Sequence, residues 1–292
     1  MNPARRLAIT WGAIVISSLS LIGCAHTSPP SKPAPDTSPW TAAEQLRLEA
    51  LLPADAWLLG EQHDAPEHHE LERQVVEWLA RRGTLAAVAM EMAPRGKDTR
   101  GLSRDASASE VRKALDWNEA GWPWGTYGPV VMAAVQAGIP VMGANLPREQ
   151  QRAAMQDGTL DKRLPPDALA TQTERIRDSH CGLLPETQMR PMARVQVARD
   201  ISMAQTTASA LQPGRTVLLI AGNGHVDRTL GVPVHLPAGL NAKVISAQAG
   251  KQATATLSTA ADVIWATPAL PPKDYCAEMK RTAPPASGSQ RQ

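Results

Sequence analysis

Four short strings place ionisable or amide side chains directly after apolar runs. They are Gly60-Glu61-Gln62-His63-Asp64, Met90-Glu91-Met92, Ala144-Asn145 and Ala221-Gly222-Asn223-Gly224-His225. If the apolar runs are parallel strands, the strings share one sheet edge, outside the carboxyl ends where open α/β sheets bind ligands. Glu61, His63, Glu91, Asn145, Asn223 and His225 then converge. Two carboxylates and two imidazoles suit a divalent metal such as zinc or manganese, with Glu61, His63, Glu91 and His225 as ligands. The same four suit catalysis by general acid–base hydrolysis, one imidazole being made basic by an adjacent carboxylate. Each residue also has a plainer use: Asp64 as a helix cap, Asn145 and Asn223 in turns, a histidine in the core. His68 and His69 follow. His68, three positions before Leu71, lies near the buried stripe of the next helix, and His69 is expected to face elsewhere. His-Glu-x-x-His, Gly-x-Ser-x-Gly and a phosphate-binding glycine loop do not occur.

A second cluster runs from Trp117 to Pro129, with Trp117, Trp122, Trp124 and Tyr127 close together. It reads either as a core-packing loop or as a flat apolar wall facing a ligand. A ferric porphyrin needs such a wall and an axial donor, and a tyrosine oxygen is an accepted donor. Tyr127 and Tyr275 are the two tyrosines of the chain, and His180 in His180-Cys181-Gly182 offers another donor. Cys-x-x-Cys-His is absent, which excludes covalent c-type haem attachment.

The elements that must hold these groups alternate. Apolar runs suggest strands over 56–60, 85–92, 139–144, 217–222, 242–247 and 262–266. Helical periodicity suggests helices over 66–82, 106–114, 129–137, 166–177 and 189–211. Such alternation predicts an α/β fold, a mainly parallel sheet with helices on both faces. The helix over 66–82 has Leu71, Val75, Val76 and Leu79 on one face, with Asp64 and Glu67 spaced as a capping box. Phe is absent, so the core leans on Leu, Val, Met, Ala and the eight Trp.

The N-terminus points to export. Arg5 and Arg6 precede an uncharged apolar stretch, residues 7–22, too short to span a bilayer as a helix. It ends in Leu21-Ile22-Gly23-Cys24, which resembles the lipobox cut by lipoprotein signal peptidase. Residues 1–23 are thus expected to be a signal peptide and Cys24 the site of lipidation (palmitate among its acyl chains). Three acyl chains exceed the two that stable anchoring needs. Ala25 after the Cys favours the outer membrane, with the domain facing the periplasm. Residues 24–39 read as the lipidated Cys and a Pro/Ser-rich tether. Residues 40–281 read as one domain and 282–292 as a disordered tail. The net charge is +2, and Arg5 and Arg6 lie in the removable segment, so the mature chain is formally neutral. That balance, without a Lys/Arg-rich run, argues against a nucleic-acid partner. In an oxidising compartment Cys181 and Cys276 form either a disulfide or two buried thiols. A bridge closing that loop would contribute roughly 4 kcal/mol through chain entropy.

Taken in order, the strings resemble the ChaN family of haem-binding lipoproteins, within the wider Tiki/TraB and erythromycin-esterase-like superfamily. The resemblance rests on Gly60 to Asp64 with His68-His69, Met90-Glu91-Met92, Tyr127-Gly128-Pro129 and Ile139-Pro140-Val141. It continues through Asn145 to Arg148, His180-Cys181-Gly182, Gln196 to Asp200 with Met203-Ala204, Ala221 to His225 and Gly231-Val232-Pro233. It implies an iron-uptake role in which haem is held as a cofacial pair between two protomers, with a tyrosine as axial ligand. Mapped onto this chain, that ligand is Tyr127, with His180, Trp122 and Trp124 as further haem contacts. It also implies a homodimer and an outer-membrane haem receptor as partners. Hydrolases of the superfamily use a set that His63, Glu91 and His225 match, and Tiki-type relatives use Gly-x-x-His for metal-dependent proteolysis. The resemblance therefore leaves two readings, a haem-binding module and a hydrolase.

Overall fold

Six apolar segments form one all-parallel sheet, in the spatial order Val141–Asn145, Leu85–Pro94, Thr216–Gly222, Ala56–Glu61, Ala242–Ala249 and Val263–Thr267. The computed structural model describes residues 39–250 and 261–282. Cys24, the signal segment, most of the tether and nearly all of the tail lie outside the described residues. In chain order the elements are α1 (Ala42–Glu49), β1 (Ala56–Glu61), α2 (Pro66–Arg81), β2 (Leu85–Pro94), α3 (Ala108–Ala114) and α4 (Trp124–Gln136). Next come β3 (Val141–Asn145), α5 (Arg148–Gln156), α6 (Pro166–Ser179), α7 (Glu186–Ser209), β4 (Thr216–Gly222), β5 (Ala242–Ala249), β6 (Val263–Thr267) and α8 (Tyr275–Thr282).

Strand periodicity sorts the core. Trp57 and Leu59 of β1, Val88 and Met90 of β2 and Ile220 of β4 face α2, α3 and α4. Leu58, Ala87, Ala89, Leu219 and Ala221 face the other way, against Met203 and Ala204 of α7. Both faces are covered, so the inner strands are apolar throughout instead of alternating. Leu71, Val75, Val76 and Leu79 of α2 are all buried, and truncating Leu79 to Ala would cost about 2–5 kcal/mol. α6 and the first half of α7 carry their own small core of Leu169, Ile176, Met189, Ala193 and Val197.

The topology sets the site. β4 inserts between β1 and β2, so the two Gly-x-x-His strings end adjacent strands, in a register that pairs Gly60 with Ala221 and Glu61 with Gly222. Each string's glycine makes room for the other. A Cβ on Gly60 would meet Val226 Cγ2 at 2.4 Å and Asn223 Oδ1 at 2.5 Å, and one on Gly222 would meet His63 Nε2 at 2.9 Å.

Several expectations are corrected. α2 has no Asp64–Glu67 capping box: its N-cap is Ala65, because Pro66 takes the first helical position with its preset φ. α4 begins at Trp124, not at Pro129, so Trp124 and Tyr127 are helical and Pro129 sits inside the helix. α1, α5 and α8 add to the expected helices. For α1 the signal was present, as Thr41 and Glu44 form a complete capping box. Among the described residues no helix is long and apolar enough to cross a membrane.

Candidate functional site

The strand-end groups meet in a chain of alternating carboxylates and imidazoles. Asp200 Oδ1, delivered by α7, lies 2.6 Å from His225 Nδ1. His225 Nε2 is 3.4 Å from Glu91 Oε1, and Glu91 Oε2 accepts the Gly222 N–H at 2.9 Å. His63 Nε2 lies 4.0 Å from Glu91 Oε2, and His63 Nδ1 lies 2.7 Å from Glu61 Oε1. Glu61 Oε1 also accepts the Tyr127 hydroxyl at 3.0 Å. Glu61, Glu91 and Asp200 are buried, whereas the His63 side chain is 43% exposed. His63 is therefore the member a ligand meets first, and Trp122 packs its ring against it at 4.9 Å.

Burial and pairing compete at every member. Burial alone would raise the Glu91 pKa, but the charges and bonds of His225 and His63 bring it down to about 2. Burial opposes charge on His225, and the Glu91 and Asp200 carboxylates overcome it, raising the imidazole to about 10. Asp200 is pushed up to about 6, mainly by burial. Glu61 stays well below the usual carboxylate range because contacts with His63 and His69 outweigh its desolvation. His63 is raised, its bond to Glu61 and the charge of Glu91 outweighing burial. Displaced groups of this kind cluster at functional sites and also occur in structural ion-pair networks. An imidazole oriented by one carboxylate and facing a second is equipped to take up or release a proton.

The other predicted residues are placed as follows. Asn145 donates through Nδ2 to the Glu91 carbonyl at 2.9 Å and so braces that strand end. Asn223 donates to the Ala247 carbonyl and accepts from Ser246, so it ties the β4 loop to β5. Trp124 packs edge-on against Trp117 at 5.0 Å. His180 is turned back on α6, its Nδ1 donating to the Ile176 carbonyl at 2.8 Å. Tyr127 departs from the role expected of an axial ligand: it is 1% exposed, and its hydroxyl is engaged by Glu61. Helical propagation back to Trp124 turned it into the interior. Tyr275 is 48% exposed, and its hydroxyl donates to Asp64. A disulfide joins Cys181 to Cys276, the chain neighbours of His180 and Tyr275, and holds their Cα atoms 5.5 Å apart. His69, expected to face away, is buried with its Nδ1 2.9 Å from Glu61 Oε2. His68 is buried too, accepting from the Gln62 N–H and bonding Thr267 through Nε2. Its donor and acceptor are both committed, so it is structural.

Three residues join the site beyond those expected: Asp200, Glu72 and His69. Asp200 stood in a family string without a role, and Glu72 had only its spacing of three from His69 as a signal. Two cavities flank the site. One of about 370 Å³ is lined by His63, Asp64, His69, Arg73 and Pro129. The other, about 560 Å³, is lined by Glu91, Trp122, Asn145, Arg148 and Arg199.

Among solved structures, ChaN of Campylobacter jejuni, described in cofacial haem binding, is 24% identical. It matches with a TM-score of 0.58, over 72% of this chain and 87% of that one. That likeness concerns the fold. A Bacillus cereus protein (12% identity, 73% of this chain and 70% of that one) and the type III effector HopBA1 (16%, 74% and 88%) align with TM-scores of 0.40. No curated protein matches. The family described as haem-binding uptake, Tiki superfamily, ChaN matches residues 47–236, well over half of the sequence, and the chain belongs to that family.

Proposed function

We propose that this protein binds ferric haem reversibly and serves haem or iron uptake as an outer-membrane lipoprotein anchored through Cys24. Family membership is the observation that carries the reading. The residues present fit the group in one respect that matters. Tyr275 offers an exposed phenol whose hydroxyl donates to Asp64, a carboxylate that raises the phenol's pKa and so favours the protonated form until a cation displaces the proton, and the Lys273 ammonium lies 4.8 Å from the ring centroid. Bound haem supplies a ferric centre that takes a phenolate as axial ligand. Tyr275 is therefore the proposed ligand in place of Tyr127; the Cys181–Cys276 disulfide ties its helix to the turn that carries His180, and Trp122 packs against His63 at the sheet edge. A cofacial haem pair between two protomers, and delivery to or from an outer-membrane receptor, belong to the same proposal.

The test is a haemin titration of the full chain in mild detergent. A saturable shift of the Soret band supports the reading, and its absence against a detergent control overturns it. A second reading, hydrolysis, is favoured by one arrangement: His225 held between Asp200 and Glu91 behind the half-exposed His63. Turnover of an ester or peptide by wild type, lost in His225→Ala, would support it.

A further inference from the structure

Behind the strand-end site, α2 brings two more ionisable groups against Glu61. His69 and Glu72 lie three residues apart on the inward face of the helix. His69 Nδ1 sits 2.9 Å from Glu61 Oε2 and 3.6 Å from Glu72 Oε2. One donor atom from each of the three residues lies within 4.8 Å of the others. Glu72 is completely buried. Neither of its oxygens has a hydrogen-bond partner, nor has Glu61 Oε2 or His69 Nδ1. The 2.9 Å approach is close but not aligned as a hydrogen bond. Buried polar atoms are nearly always satisfied, and four orphans in one spot require an explanation.

The orientation of His69 sharpens the point. Its Nε2 lies 3.2 Å from the His63 carbonyl, which can only accept, so Nε2 carries a proton. This is the outer hydrogen bond that fixes a metal-binding imidazole and leaves its other nitrogen for the ion. The Tyr127 ring, edge-on at 4.7 Å, holds the imidazole in place. The two carboxylates repel in so dry a place unless a positive charge lies among them, either a proton on His69 Nδ1 or a metal ion in its place. Donor atoms about 2.1 Å from a tetrahedral ion stand roughly 3.4 Å apart, and the two separations here fall on either side of that value.

We propose that Glu61 Oε2, His69 Nδ1 and a Glu72 oxygen bind one divalent transition-metal ion, separate from the His63–Glu91–His225 cluster. One nitrogen and two oxygens suit zinc or manganese better than a soft, thiolate-seeking ion. His69 also lines the 370 Å³ cavity, which gives an ion its way in. Glu61 joins the two sites, one oxygen to each. The proposal does not depend on haem binding.

The test uses the full chain in detergent, stripped with chelator and titrated with zinc alone. One equivalent should bind. Glu72→Gln should weaken binding at least about 100-fold, while its haemin titration stays as in wild type. His225→Ala should keep the zinc. Failure of wild type to bind zinc saturably overturns the proposal, as does full retention in Glu72→Gln. Loss in His225→Ala with retention in Glu72→Gln would assign the ion to the other cluster and overturn it too. Should Glu72→Gln not fold, cadmium-113 NMR of wild type decides. Coupling to one imidazole nitrogen supports the site, and coupling to two places the ion at His63 and His225.

Discussion

The hydroxyl of Tyr127 donates to Glu61 Oε1 across 3.0 Å with the ring almost wholly buried. Burial and the neighbouring Glu61 charge both push the phenol pKa far up, so this oxygen keeps its proton and positions Glu61. Tyr127→Phe is expected to leave the haemin-bound Soret band where wild type has it. It should lower stability by about 1–3 kcal/mol, because a buried carboxylate oxygen loses a donor. Spectral titration and urea unfolding of the same preparation check both. A lost or displaced Soret band would return the axial role to Tyr127.

Tyr275 carries the opposite expectation. Tyr275→Phe removes the exposed phenol and should displace the haem spectrum while leaving urea stability nearly unchanged. The disulfide adds an independent handle, because Cys276 follows Tyr275 in α8 and is bonded across 95 residues to Cys181. Releasing a loop of that length costs about 4–5 kcal/mol in chain entropy. Cys276→Ala should therefore weaken haem binding as well as the fold. Unchanged haem affinity in both variants would show that α8 has no part in the haem face.

Asp200 sets the behaviour of His225. With Asp200 and Glu91 both beside it, the imidazole is raised to about 10 against the pull of burial. Asp200→Asn keeps the shape and removes one charge, so His225 should titrate at a lower pH. NMR of the imidazole follows the change directly. A midpoint equal to wild type would mean that Glu91 alone holds the proton there.

The two motif glycines should differ in cost. A Cβ on Gly60 meets Val226 and Asn223 at 2.4 and 2.5 Å, whereas one on Gly222 meets the ring of the half-exposed His63 at 2.9 Å. Overpacking of the first kind costs about 1–3 kcal/mol, and the second is relieved if His63 swings outward. Gly60→Ala should lose more stability, and Gly222→Ala should chiefly move the His63 resonances. Equal destabilisation would contradict this.

His235 predicts a pH dependence. Its Nε2 is buried without a hydrogen-bond partner, and burial, helped by the charge of Arg163, lowers its pKa to about 4. The folded protein thus prefers the neutral ring. That contribution is whole above the unfolded value of about 6.5 and is lost as pH falls towards 4. Its size is at most about 3 kcal/mol. His235→Asn should lose less stability than wild type between pH 7 and pH 4.5 in urea unfolding. Identical losses would show that the ring gains its proton without penalty.

Much of this molecule is written locally. The apolar runs from Ala56, Leu85, Val217 and Ala242 are strands because both faces of a parallel sheet are covered, and the polar groups at their ends share an edge because the strands are parallel. Glu61, His63, Glu91 and His225 could therefore be named from order and spacing alone. What spacing cannot express is the rotation of a helix about its axis or the partner that a distant helix presents. α2 rolls far enough to bury His68 and His69 together, and with them Glu72. α7 carries Asp200 to a histidine 25 residues further on. α4 starts a full turn early and draws Tyr127 inside, leaving Tyr275 at the surface. Which face of a strand is apolar is decided by neighbours along the chain, but which polar group is buried against which is decided only when the layers pack.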